Sequence, residues 1–300
     1  MSDAIRGQYL GIHSIQIARN GVLVLDAYLP PFEEGERLSL RHLLTMTTGL
    51  DSRDSYLYRW AGLNRMRATS DWVGHILDLP MAAEPGSRFD YSNMASHLLS
   101  AIITKTTGLS ALAFGRENLF GPLGITDITW PTDQPGKSIG NAEMRMKPRD
   151  TAENNTGWGN MELRPTDLAK IGQLVLNDGL WEGRRIISAG YLKAATSPQI
   201  HVETAQFHYG FQWWLFEPGI PTALGYWGQY LIVFPEENLV VVFTSDLTER
   251  NMDKPYILFS TYIRPALLSK DPIPENKEAV EALKLFIPLS FVIFLIGQQL

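Results

Sequence analysis

Tyr91-Ser92-Asn93 is where this chain could do chemistry, because a phenol, a hydroxyl and an amide meet at the start of an amphipathic segment. The spacing of Met94, Leu98, Leu99, Ile102 and Ile103 predicts a helix with one buried face, so the triplet sits in or just before its first turn. A tyrosine held on such a rigid element, with a cation nearby, can fall from its usual ~10 toward neutrality and relay a proton to and from a serine hydroxyl. Asn93 would orient that phenol or bind a substrate carbonyl. Taken alone, the same residues also read as a capped helix start, with Asp90 or Ser92 as the cap and Tyr91 as packing.

The hydroxyl that such a tyrosine would serve is harder to find. No serine in the chain is followed by a lysine three residues later, so the Ser-x-x-Lys box of an activated serine is absent. Ser39-Leu-Arg-His42 places an imidazole one helical turn from a hydroxyl, and Ser92 adjoins Tyr91. Ser39 reads better as a helix cap and His42 as a buried polar residue bonded to backbone. Asp51, Asp54 and Tyr56 read as a solvated loop that could touch a substrate. The histidines are scattered without metal-ligand spacing, so no metal site or cofactor is expected.

The elements that must position these groups follow from pattern. Ile12 to Ala18 and Val22 to Tyr28 flank Asn20-Gly21, a hairpin signal. Late strands are expected over 208–216, 225–234 and 239–245, the last two joined by Pro235-Glu236-Glu237-Asn238. Between the two groups of strands the punctuation is helical: Ser39, Ser70 and Thr166 stand before periodic apolar residues, and Gly49, Gly108 and Gly179 supply stops. The expected class is α+β, with an antiparallel sheet built from both chain ends, flanked by helices, and a mostly helical lobe inserted. The expected division is a discontinuous sheet subdomain, 8–37 with 205–268, a helical subdomain, 38–204, and a linker and apolar tail, 269–300.

Composition bounds the partners. The chain has 300 residues and a formal charge of -6 without a long basic run, which argues against nucleic acid. It has no cysteine, so disulfide, thiolate and thiolate-metal chemistry are excluded. No secretory signal is visible at the start, which leaves a cytoplasmic or membrane-associated location open. Leu285 to Gly297 is the most apolar run, shorter than the roughly 20 residues of a spanning helix, and offers a membrane contact through the tail.

Six segments in order resemble the serine β-lactamase-like family, which includes class C β-lactamases, related esterases and 6-aminohexanoate-oligomer hydrolases. They are Ile12 to Tyr28, Leu38 to Leu50, Glu84 to Asn93, Leu163 to Gln173, Tyr209 to Trp214 and Gly225 to Gln229. The resemblance implies a β-lactamase/transpeptidase-like fold, with Tyr91 as general base and Asn93 as its support. It implies that Gly225, Tyr226, Gly228 and Gln229 form a cleft-lining edge strand, with the Tyr226 N–H as half of an oxyanion hole. Trp213, Trp214 and Trp227 could wall the acyl pocket, although aromatic residues near strands also serve as core. The Lys-Thr-Gly of true β-lactamases is missing from that strand, which moves the expected substrates toward small esters, linear amides and peptide-like compounds.

The chain departs from the family where the nucleophile helix belongs. Tyr28 runs through ten residues straight to Ser39; these span at most about 35 Å, enough to join the flanking elements but not to hold a helix between them. The complete enzyme would hydrolyse ester or amide bonds through an acyl-enzyme, and this chain is expected to be inactive or crippled. The alternatives are a non-catalytic binding module for peptide or cell-wall-like ligands, or a defective gene product.

Overall fold

The computed structural model of the chain describes residues 14–19, 22–28, 38–54, 60–132, 154–203, 207–267, 274 and 276–286. The opening hairpin pairs β1 (Ser14–Arg19) with β2 (Val22–Tyr28) antiparallel, from Ser14↔Tyr28 to Arg19↔Val22, with an irregularity between Ile17 and Ala18. Among the described residues this pair forms a two-stranded sheet of its own. Helices follow: α1 (Leu40–Leu44), α2 (Ala61–Arg67), α3 (Trp72–Leu77), α4 (Asn93–Thr107) and α5 (Ala111–Gly115), the last widening into a π-type turn over Arg116–Phe120. Then come α6 (Pro165–Leu176), a short ribbon of β3 (Leu180–Trp181) and β4 (Arg184–Arg185), and α7 (Ala189–Ala195). Six strands follow, β5 (Ile200–Val202), β6 (Phe207–Tyr209), β7 (Trp214–Leu215), β8 (Thr222–Gly225), β9 (Gln229–Phe234) and β10 (Leu239–Phe243), before α8 (Lys254–Leu258) and α9 (Lys277–Phe286). The linker is described only in part, and residues 287–300 of the apolar tail lie outside the described residues. Among those described, no single helix is long and apolar enough to cross a membrane.

The chain divides into two compact units, Met1–Glu162 with Ser197–Gln212, and Leu163–Thr196 with Trp213–Leu300. In the first, α4 is the central helix. Met94, Ala95 and Leu98 are buried on it beside the polar Ser96, His97 and Ser100. Three threonines near its end are poor helix formers, yet Thr104, Thr106 and Thr107 each donate a hydroxyl back to a carbonyl one turn earlier, at 3.2, 2.7 and 2.7 Å. Gly108, at φ 74, ends the helix as predicted. Other boundaries differ by a residue or more. Asp71, not Ser70, caps α3, accepting from Gly74 N, and α6 starts on Pro165 with Thr166 inside its first turn. Gly49 stops no helix, since α1 ends at Leu44.

In the second unit β7 to β10 run antiparallel, each paired with the next. The Pro235-Glu236-Glu237-Asn238 turn forms as predicted, closed by Asn238 at φ 49 and by the pair Leu239↔Phe234. Tyr230 to Phe234 are buried on both faces of β9, which explains an apolar run without alternation. Tyr230, Ile232 and Phe234 pack with Ile220 and Phe259 on one side. On the other lies α6, which approaches so closely at Gly172 that a Cβ there would stand 2.5 Å from Val240 and 2.7 Å from Leu231. That packing places residues 163–196 with the sheet, whereas the sequence reading put them in the helical lobe.

Glycines that no side chain can replace should reveal which close approaches matter. A Cβ at Gly62 would sit 1.7 Å from the carbonyl oxygen of Ser52, and backbone cannot swing aside as a side chain can. Gly62→Ala is expected to cost at least about 2 kcal/mol in urea unfolding. Gly190, in the first turn of α7 with nothing within 4 Å, is the contrast. Gly190→Ala should raise stability by about 0.5 to 1 kcal/mol.

Candidate active site

The Tyr91 turn is built by two stretches of backbone and one buried acid. Met46, at φ 57, lies in the Leu38 to Leu50 segment; its carbonyl accepts from Asp90 N at 2.8 Å and its sulfur from Ser92 N at 3.5 Å. Thr47 O accepts from Gly86 N at 2.7 Å, so this segment runs alongside the approach to α4. Gln212, also left-handed at φ 63, ties the same region together. Its amide nitrogen donates to Leu43 O at 3.2 Å, while Ser96 Oγ lies 3.1 Å from its Oε1.

Asp54 is the centre of this arrangement. It has no exposed surface, and its carboxylate accepts from Met94 N at 2.8 Å, Ser92 Oγ at 3.2 Å and Ser52 Oγ at 3.3 Å. Its backbone carbonyl accepts from Asn93 Nδ2 at 3.1 Å. A carboxylate at a helix N-terminus meets unsatisfied N–H groups and the positive end of the dipole. Burial nevertheless wins: desolvation raises Asp54 to about 6, against the lowering by Met94 N–H and the two serines, and Asp90 adds to the rise. The solvated loop expected here is therefore corrected at Asp54, since the acid is turned inward onto the helix start. Asp51 stays at the surface, paired with Arg53 at 2.9 Å, and Tyr56 lies outside the described residues.

Tyr91 is half-buried, and its phenol is pushed up to about 12, by desolvation first and by the Asp54 charge second. The expectation was a cation lowering it; the charged group that moves it is an anion, and it moves the other way. The phenol is thus a neutral hydrogen-bond donor at neutral pH. Asn93 is 5% exposed and spends one amide hydrogen on the Asp54 carbonyl. Ser92 caps α4, accepting from Ala95 N at 3.1 Å while donating to Asp54. Ser39 caps α1 in a reciprocal pair with His42, whose Nδ1 accepts from Ser39 N at 3.4 Å, as the sequence reading expected, but His42 is half-buried and not buried.

The remaining predicted residues belong to the second unit. Gly225 to Gln229 is not an edge strand but the end of a hairpin. Gly225 closes β8, Tyr226–Gly228 make a 3₁₀ turn, and Gln229 opens β9 opposite Gly225. Two-strand register at a tight turn, rather than strand continuity, sets this geometry, and Gly228 supplies φ 84 for it. Ser245 Oγ donates to the carbonyls of Trp227 and Gly228, at 2.8 and 2.6 Å, and Gln229 both donates to and accepts from the Ser245 backbone. Trp227 takes a left-handed conformation, φ 60, and stays exposed beside Tyr226, whose phenol donates to Glu249 at 2.5 Å. Trp214 is half-buried and stacks on Phe216 at 5.8 Å, and Phe216 in turn meets Tyr256, so this ring joins the core aromatics. Trp213 is half-buried. Among the described residues no group of three or more His, Asp or Glu could hold a metal.

Asp54 carries a pH signature. Because its folded value exceeds its unfolded one, the folded state holds the extra proton, so stability falls as pH rises from about 4 to about 6. The loss is on the order of 3 kcal/mol when complete. Urea unfolding of the natural chain and Asp54→Asn between pH 4 and pH 7 should show their stability difference shifting against the natural chain across that window. A level difference would show that the acid titrates in the ordinary carboxylate range.

A family model described as Beta-lactamase matches residues 16–259. An uncharacterized protein of Alkalihalophilus pseudofirmus is 25% identical over 266 residues, 80% of this chain and 71% of that one. Among solved structures, a Bacillus anthracis protein described as a 6-aminohexanoate-dimer hydrolase superposes with a TM-score of 0.59 at 18% identity, over 84% of this chain and 80% of its own. A penicillin-binding protein of Bacillus halodurans gives 0.54 at 19% identity, over 74% and 71%. These likenesses show a β-lactamase/transpeptidase-like α+β fold, as the ordered segments implied. The family model spans most of the chain, from the opening hairpin to the helix after the last strand, and on that ground the chain belongs to the β-lactamase family of serine hydrolase-like proteins.

Proposed function

We propose that this β-lactamase-family chain binds ester, amide or peptide-like carbonyl compounds without turning them over. The observation that carries the reading is the absence of Ser-x-x-Lys anywhere in the sequence, including the stretch between β2 and α1 where the family's nucleophile helix belongs. Without that hydroxyl no acyl-enzyme forms. The serines beside a candidate base are otherwise engaged: Ser39 Oγ accepts from His42 N, Ser92 Oγ bonds Ala95 N and Asp54, and Ser52 Oγ donates to Asp54. Tyr91 adds support, because a phenol near 12 keeps its proton at neutral pH, so it donates a hydrogen bond and is not present as the phenolate a general base requires. What such a neutral donor can do is hold a carbonyl oxygen. Missing Lys-Thr-Gly leaves no lysine to anchor a substrate carboxylate, which favours uncharged acyl compounds over β-lactams.

The test is fluorophosphonate labelling of the full chain with mass-spectrometric readout, alongside turnover of a chromogenic ester and a chromogenic β-lactam. The expected result is no labelled serine and no turnover above that of Tyr91→Phe. Acyl-peptides should still raise the unfolding temperature of the natural chain, by an amount that follows ligand concentration. A labelled serine whose replacement abolishes turnover would overturn the reading, and so would a chain that shows no cooperative unfolding.

A further inference from the structure

We infer that His201 and His208 form a two-histidine chelate for a divalent transition cation, clamping the β5–β6 pair. The two residues are directly opposite each other in the antiparallel register and both are exposed. Opposed residues on one face of an antiparallel pair bring their Cβ atoms to about 4.5–5.5 Å, close enough for both side chains to reach one ion. The imidazole centroids stand 5.0 Å apart with the rings at 52°. That separation lies within the range a shared metal allows. With metal–nitrogen bonds of about 2.0–2.1 Å and an angle between ligands from square to tetrahedral, two ring centroids fall roughly 4.5–5.2 Å apart.

Side chain type selects the ion. Imidazole suits zinc, nickel and copper(II), whereas calcium and magnesium require oxygen donors. Two protein donors leave the remaining coordination positions to water, so the site is a clamp across two strands and not a reaction centre. Chelation explains why two donors suffice: once one imidazole is bound, the second meets the same ion at high effective concentration. The sequence hid this pair because the two histidines stand seven positions apart, with six residues between them, a spacing without meaning until β5 and β6 are placed in register.

The test uses the full chain stripped with EDTA, and nickel(II) or zinc(II) chloride as the probe. Calorimetry should show one cation per chain, bound at least tenfold more tightly than by His201→Gln or His208→Gln. The double variant should be no weaker than either single one, because removing one arm already removes the chelate. In the same buffers the cation should raise the unfolding temperature of the natural chain alone. As a readout that needs no variant, zinc should protect both His201 and His208 of the natural chain from diethylpyrocarbonate. Equal affinity in the single variants, no binding at millimolar metal, or protection of only one of the two would overturn the inference.

Discussion

A carboxylate removed from water must be held by hydrogen bonds or take up a proton, and Asp54 stands between those outcomes. Its three acceptor contacts reach Ser52 on its own loop and Ser92 and Met94 at the start of α4. Its backbone carbonyl takes Asn93 as well. One acid thus joins the loop after Leu50 to the first turn of the central helix, across about forty residues of sequence. Burial raises the Tyr91 phenol, and the same charge adds to that rise. On the same loop, two residues before the acid, the carbonyl of Ser52 leaves no room for a Cβ at Gly62.

The second unit rests on a different physical basis. β9 is buried on both faces, with α6 on one and an aromatic cluster on the other, and burial of apolar area there supplies the stability that hydrogen bonds supply around Asp54. Trp214 belongs to this basis through Phe216. Trp227 does not: a bulky side chain at positive φ is disfavoured by about 1–2 kcal/mol, and at the hairpin end Ser245 holds its carbonyl in place.

What could be read from the sequence was local. Ser39 as a cap with His42 bonded to backbone, the pairing of β1 with β2, the stop at Gly108 and the turn at Pro235 to Asn238 all depend on residues close to one another in sequence. Asp54 was read as solvated because nothing beside it announces burial; its partners lie 38 to 40 positions away. Gly225 to Gln229 was read as strand because β-rich runs flank it, and only the pairing of Gly225 with Gln229 shows the reversal. The phenol's direction of shift was unreadable for the same reason, since it depends first on how far the fold buries the ring and then on which charge arrives from elsewhere in the chain.

The bonds made by Ser92 and Asn93 have a consequence for how such chains drift. Both residues secure the fold through Asp54, so selection for a stable polypeptide alone would keep them whether or not any ester is ever cleaved. Half of a reaction's signature can therefore outlive the reaction, carried forward as architecture, and its presence in a genome tells of descent sooner than of turnover.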